Sequence, residues 1–187
     1  MPYEPIKCVD MTGFKRIIKE RFSLFNYTKF LAASRPADTL YADHMNLTRF
    51  PVSLVRALPN LELIDLQGNN IRRLPIRMHL VAPKLDKLLV ADNKVAIPKS
   101  KPLMVSDSIR TLMLSNNGIE RIFKYTFAKL PALQVLYLDG NKLRNIAPIV
   151  GVLPSLKYLH VGRNYLETIP PQNLKYYVTK DQKTPEY

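Results

Sequence analysis

The chain of 187 residues is poor in cysteine, glycine, histidine and acidic side chains, and each shortage excludes something. The single Cys8 cannot close an intramolecular disulfide, whereas small secreted modules often carry several. That count points to a reducing interior, so a cytoplasmic or nuclear setting is the expectation. The N-terminus shows no apolar run of signal-peptide length, and no stretch approaches the 18 apolar residues of a membrane span. Residues 1 to 36 are rich in Lys and Arg, yet Glu4, Asp10 and Glu20 spoil the acid-poor signature of a mitochondrial presequence. The six glycines form no phosphate-cradling loop. His44, His79 and His160 stand at unlike positions without metal-ligand spacing, and Cys8 has no identifiable base beside it. The reading is therefore of a protein that is not an enzyme and has no cofactor. Asp139, with Tyr137 and His160, reads as a polar recognition cluster.

Acidic residues number 15 against 28 Lys and Arg, which leaves a formal charge of +13. Such an excess raises nucleic acid, acidic proteins and anionic membranes as partners.

A repeat supplies the fold. Leu61, Leu85, Ile109, Leu133 and Leu156 open segments reading LELIDLQGNNI, LDKLLVADNKV, IRTLMLSNNGI, LQVLYLDGNKL and LKYLHVGRNYL, at intervals of 24, 24, 24 and 23 residues. A degenerate copy, ADTLYADHMNL, starts at Ala37 with Met45 where the others have Asn. The second and third apolar positions lie two apart, so both point to one side of a short strand. One unit cannot bury them, but stacked units can.

The pattern LxxLxLxxNxL resembles the leucine-rich-repeat family over residues 37 to about 170. The resemblance implies an α/β fold, a curved right-handed solenoid with short parallel strands on its concave face. It also implies that Asn69, Asn93, Asn117, Asn141 and Asn164 form a buried ladder that satisfies backbone groups, a task Met45 cannot perform; the first turn is expected to be looser. The lack of cysteine-rich caps resembles intracellular members.

Proline just before four of the strands (Pro59, Pro83, Pro131, Pro154) and soon after several turns leaves the return segments room only for short helical or 3-10 turns, with 52 to 58 and 126 to 130 as the best candidates. The polar return PKSKPLMVSDS is expected to be locally mobile. Phe14, Ile17, Ile18, Arg21, Phe22 and Phe25 have the spacing of an amphipathic helix with Lys15, Arg16 and Lys19 opposite, which reads as a cap on the first repeat. The organisation is thus a basic capping segment at 1 to 36, six repeats at 37 to 170, and a closing segment with a polar tail at 171 to 187.

In this family the strand positions that face away from the core line the concave surface. Here they include Tyr41, Leu63, Asp65, Lys87, Leu89, Met113, Val135, Tyr137, Tyr158 and His160, an apolar and aromatic set that reads as a protein interface. Charge falls mostly elsewhere. Arg72, Arg73, Lys94, Lys142 and Arg144 read as a basic flank able to meet an anion or nucleic acid, although no nucleic-acid-binding motif is present. The resulting expectation is a non-catalytic adaptor or scaffold subunit, monomeric within an intracellular hetero-complex, that holds a protein on its concave face. Two other uses known in the family stand beside it: a ribonucleoprotein component with RNA on the basic flank, and a regulatory subunit of an enzyme such as a phosphatase or ubiquitin ligase.

Overall fold

The computed structural model describes residues 8–11, 34–149 and 151–167, together with the backbone of the strand Tyr177–Thr179. Eight three-residue strands form one parallel sheet whose order follows the chain: β1 (Cys8–Asp10), β2 (Thr39–Tyr41), β3 (Leu63–Asp65), β4 (Lys87–Leu89), β5 (Thr111–Met113), β6 (Val135–Tyr137), β7 (Tyr158–His160) and β8 (Tyr177–Thr179). Parallel neighbours need a crossover, and here each crossover is the return path of one unit. The amphipathic helix expected at 14 to 25 lies outside the described residues.

The register explains the core. Val9, Leu40, Ile64, Leu88, Leu112, Leu136 and Leu159 sit side by side across the sheet and are all buried. Leu61, Leu85, Ile109, Leu133 and Leu156 precede them, and Leu66, Val90, Leu114, Leu138 and Val161 follow, each set also buried. The three apolar positions of LxxLxL therefore build three parallel rows of one continuous core. The solenoid is α/β and curved, with the strands on its concave side.

Short returns are what the prolines leave. Helix α1 (Val52–Ala57) buries Leu54 and Val55, α2 (Met78–Val81) buries Met78 and Val81, and a 3-10 turn (Ala147–Ile149) buries Ile149. Residues 126 to 130 form turns instead of a helix, with Thr126 and Phe127 buried. The polar return at 98 to 108 has no helix, yet it is anchored: Leu103, Met104 and Ser106 are buried, and the Ser108 hydroxyl donates to the Leu85 carbonyl at 2.8 Å.

The asparagine ladder runs in one direction. The Oδ1 of Asn69, Asn93, Asn117, Asn141 and Asn164 accepts the backbone N–H of Leu47, Ile71, Val95, Ile119 and Leu143, in each case from the preceding unit, at 2.9 to 3.0 Å. Each Nδ2 donates to carbonyls of its own turn and to one of the unit before, such as Asn117 to Val90 at 2.9 Å. The turn after β2 is thus closed by Asn69, which takes the N–H groups of both Met45 and Leu47. Met45 leaves the N–H groups of its turn satisfied, because their acceptor comes from the next unit; what it lacks is the side-chain donor that the other units' asparagines give to carbonyls of their own turn.

The residue just before each ladder position has a left-handed backbone. His44, Gly68, Asp92, Asn116, Gly140 and Arg163 have φ between 50° and 64°. At Gly68 and Gly140 an added Cβ would also have to push aside the His44 ring and the Asn116 side chain respectively.

Candidate protein-binding face

The strand pleat turns the first and third residue of each strand away from the core, and register places them in two rows across the concave face. One row reads Thr39, Leu63, Lys87, Thr111, Val135 and Tyr158; the other reads Tyr41, Asp65, Leu89, Met113, Tyr137 and His160. Tyr41 and Tyr158 are 39% and 44% exposed, and Lys87 is exposed as well. Leu63, Leu89, Met113, Val135, Tyr137 and His160 are half-buried by their neighbours. Large apolar side chains therefore occupy a surface that a strand facing only water would fill with polar ones.

Asp65 is the exception among the positions picked from the pattern. It is buried, and its two carboxylate oxygens accept from the backbone N–H and the side-chain amide of Gln67, both at 3.0 Å. Its charge shapes the turn after β3.

The expected cluster at the far end is partly assembled. The rings of Tyr137 and His160 stack with centroids 4.2 Å apart and an interplanar angle of 11°. Asp139 turns away to the strand exit, where one oxygen accepts the Gly162 N–H at 3.0 Å and the other meets the Ser115 hydroxyl at 3.4 Å. That arrangement holds a turn beside a flat aromatic platform.

The other titratable groups are scattered. His44 contacts Asp43 at 3.0 Å, while His79 meets the Val105 carbonyl at 3.2 Å on the opposite side of the solenoid. Among the described residues no three His, Cys, Asp or Glu side chains gather as a metal site would require. The Cys8 thiol is pushed above its ordinary value, first by burial and then by the carboxylates of Asp10 and Asp38. That shift lowers its nucleophilic fraction.

The basic flank resolves into separate groups. Arg72, Arg73, Lys94, Lys142 and Arg144 are all exposed. Arg72 and Arg144 occupy one repeat position but stand three units apart, about 14 Å at the spacing of neighbouring strands. Arg72 and Arg73 instead share a groove with Arg49, which the sequence pattern did not single out. Its signal was present, since Arg49, Arg73 and Arg121 share one position of the 24-residue repeat, 24 and 48 residues apart. Strand β1 was missed in the same way: Ile6, Val9 and Met11 repeat the LxxLxL intervals, but 31 residues ahead of the next copy.

Comparison with known proteins gives concordant matches. A leucine rich repeat profile matches residues 107–152, and a profile of two leucine rich repeats matches 131–176. Osteomodulin of Bos taurus is 30% identical over 144 residues, covering 74% of this chain and 33% of that protein. Leucine-rich repeat-containing G-protein coupled receptor 5 of Rattus norvegicus is 30% identical over 174 residues, covering 89% of this chain and 19% of the receptor. Among solved structures, a chain of the Toll–Spatzle complex of Drosophila superposes with a TM-score of 0.60 at 23% identity, covering 73% of this chain and 18% of that one. The chain spans about a third or less of the length of these relatives.

The relatives are mostly extracellular proteins, with a membrane receptor among them, and they overturn the cytoplasmic or nuclear placement. The physical reason is that cysteine count reports whether a small core needs staples. A stacked array with a continuous core needs none, so the scarcity of cysteine says little about the compartment. Among the described residues no helix is long and apolar enough to cross a membrane.

Proposed function

Since the chain belongs to the leucine-rich-repeat family, we propose that it is a non-catalytic binding module whose concave face seats a segment of a partner protein. One observation carries the reading: Tyr41 and Tyr158 stand exposed at the two ends of a strip in which Leu63, Leu89, Met113, Val135 and Tyr137 are only half covered. Aromatic residues and methionine are enriched where proteins meet, and they supply most of the binding energy from a few positions. Lys87 and the stacked pair of Tyr137 and His160 add polar edges that would fix the register of the bound segment. In this reading the chain acts as an adaptor or scaffold, one copy within a larger hetero-complex, in a secreted or extracellular setting. Residues 1 to 36 cap the six repeats of 37 to 170, and residues 171 to 187 close the far end.

The test is capture of the partner from extracellular material of the source organism, using the parent chain and a Tyr41→Ala, Tyr158→Ala, Met113→Glu variant. Recovery of the main partner should fall at least about tenfold, as expected for loss of central anchors, while the circular dichroism spectrum is retained. Equal recovery by a folded variant would end the proposal.

A further inference from the structure

Away from the concave face, the segments that leave the asparagine turns enclose three grooves in consecutive units. The first, of about 580 Å³, is bordered by Arg49, Arg72 and Arg73 with Val52, Leu74 and Pro75. The second, of about 400 Å³, shares Arg73 and Leu74 with the first and runs on to Ile97 and Lys101. The third, of about 360 Å³, shares Ala96 and Ile97 with the second and reaches Lys99, Arg121 and Phe123. Shared walls make them one trough crossing four units, about 14 Å long at the spacing between strands. That length suits four or five residues of extended peptide at about 3.3 Å each.

The charge of the trough is one-sided. Six cations border it, Arg49, Arg72, Arg73, Lys99, Lys101 and Arg121, against the single carboxylate of Glu120. All six are exposed, and among the described residues none has an ion-pair partner. Clustered like charges repel one another, and a ligand carrying carboxylates relieves that repulsion. Guanidinium groups in particular meet carboxylates through paired hydrogen bonds.

The floor decides between classes of anion. Its accessible part is aliphatic, formed by Val52, Ile76 and Ile97, while Phe50, Leu74 and Leu103 are buried beneath it; one half-buried ring, Phe123, stands at the far end, too few for a run of stacked bases. Single-stranded nucleic acid is held by exposed aromatic rings on which bases stack, and a sulfated sugar chain has no apolar side chains to place on such a floor. We infer that the trough takes an extended acidic peptide of a partner protein, its apolar side chains on the aliphatic floor and its carboxylates on the arginine rim. This second surface is independent of the concave face.

The experiment is fluorescence anisotropy on the full chain at low salt, with a labelled octapeptide alternating Glu and Leu. Binding should saturate, and a peptide with Ser in place of Leu should bind about fivefold or more weakly, because the floor then gains no apolar cover. An Arg49→Glu, Arg72→Glu, Arg73→Glu variant should lose about tenfold or more in affinity, while Tyr41→Ala with Tyr158→Ala leaves it unchanged. Equal binding of the Ser and Leu peptides overturns the inference, since it leaves only charge attraction. So does heparin or a single-stranded oligonucleotide that binds more tightly than the Leu peptide and displaces it. Self-association of the chain that is blocked by the triple variant would put a second copy in the trough, and that too overturns it.

Discussion

Asn117 offers the sharpest test of the ladder, because its bonds can be counted one by one. Its Nδ2 donates to the carbonyls of Val90, Leu114 and Ser115 at 2.9, 3.1 and 3.0 Å, and its Oδ1 accepts from Val95 at 2.9 Å. Truncation in Asn117→Ala does not orphan the three carbonyls. Val90 keeps the amide of Asn93, Leu114 keeps that of Asn141, and Ser115 keeps the N–H of Asp92. The buried Val95 N–H has no other acceptor among the described residues, and leaving it unpaired costs about 1–3 kcal/mol. With the weakened bonds to the carbonyls, the total should be about 2–4 kcal/mol. Urea unfolding followed by circular dichroism reads this as a lower midpoint at unchanged slope. The neighbouring Asn116→Gly is the control, because Asn116 is exposed and bonds only Asp92 at 3.0 Å; it should stay within about 0.5 kcal/mol. The isostere Asn117→Asp adds a pH dependence. An ionised oxygen facing three carbonyls is disfavoured, so the folded carboxyl titrates above its unfolded value near 4. The folded state then binds more protons than the unfolded state, and stability falls as pH rises through and beyond that value. Asn117→Asp should therefore be least harmful below about pH 4 and worst at neutrality. An Asn117→Ala protein as stable as its parent, or an Asp variant whose deficit shrinks on raising the pH, would refute the account.

Four further outcomes follow from the structure. Arg163 holds a left-handed backbone at φ 50° where Gly68 and Gly140 serve other units, so Arg163→Gly should raise stability by about 0.5–1 kcal/mol in the same unfolding assay. Gly140→Ala should lower it by at least about 1 kcal/mol, because the new methyl meets the Asn116 side chain at a strained φ. Leu136, fully buried in the central row, should cost about 3–5 kcal/mol on Leu136→Ala. The Cys8 thiol should be alkylated by iodoacetamide more slowly than free cysteine at pH 8, and Asp10→Asn should speed it by lowering the pKa; a rate equal to free cysteine would contradict the raised titration.

The rows of Leu and Ile were legible because burial against a neighbour demands the same side-chain type at the same point of every turn. The concave positions followed from the pleat once the strands were placed, but their state did not: Asp65 is buried by its bond to Gln67, which depends on a turn conformation that spacing does not report. The left-handed position escaped for a related reason. His, Gly, Asp, Asn and Arg all occupy it, so the backbone requirement leaves no single residue type to recognise. Strand β8 has its central Val178 only 19 residues beyond Leu159 and lacks the LxxLxL intervals, so backbone pairing places it where periodicity does not. The trough is legible only in part: Arg49, Arg73 and Arg121 share one repeat position, but Lys101 joins them only when the returns stack.

The one-way ladder also dictates where the chain can be cut. A fragment ending after the return of one unit, at residue 106 for instance, leaves Val95 without the acceptor that Asn117 provides from the next. A fragment beginning at residue 84 keeps every asparagine that its own turns require, up to Asn164 for the turn after β6. Shortening from the front therefore removes suppliers whose customers are already gone, whereas shortening from the back strands the last turn. Minimal versions of this array are best trimmed from the amino-terminal side.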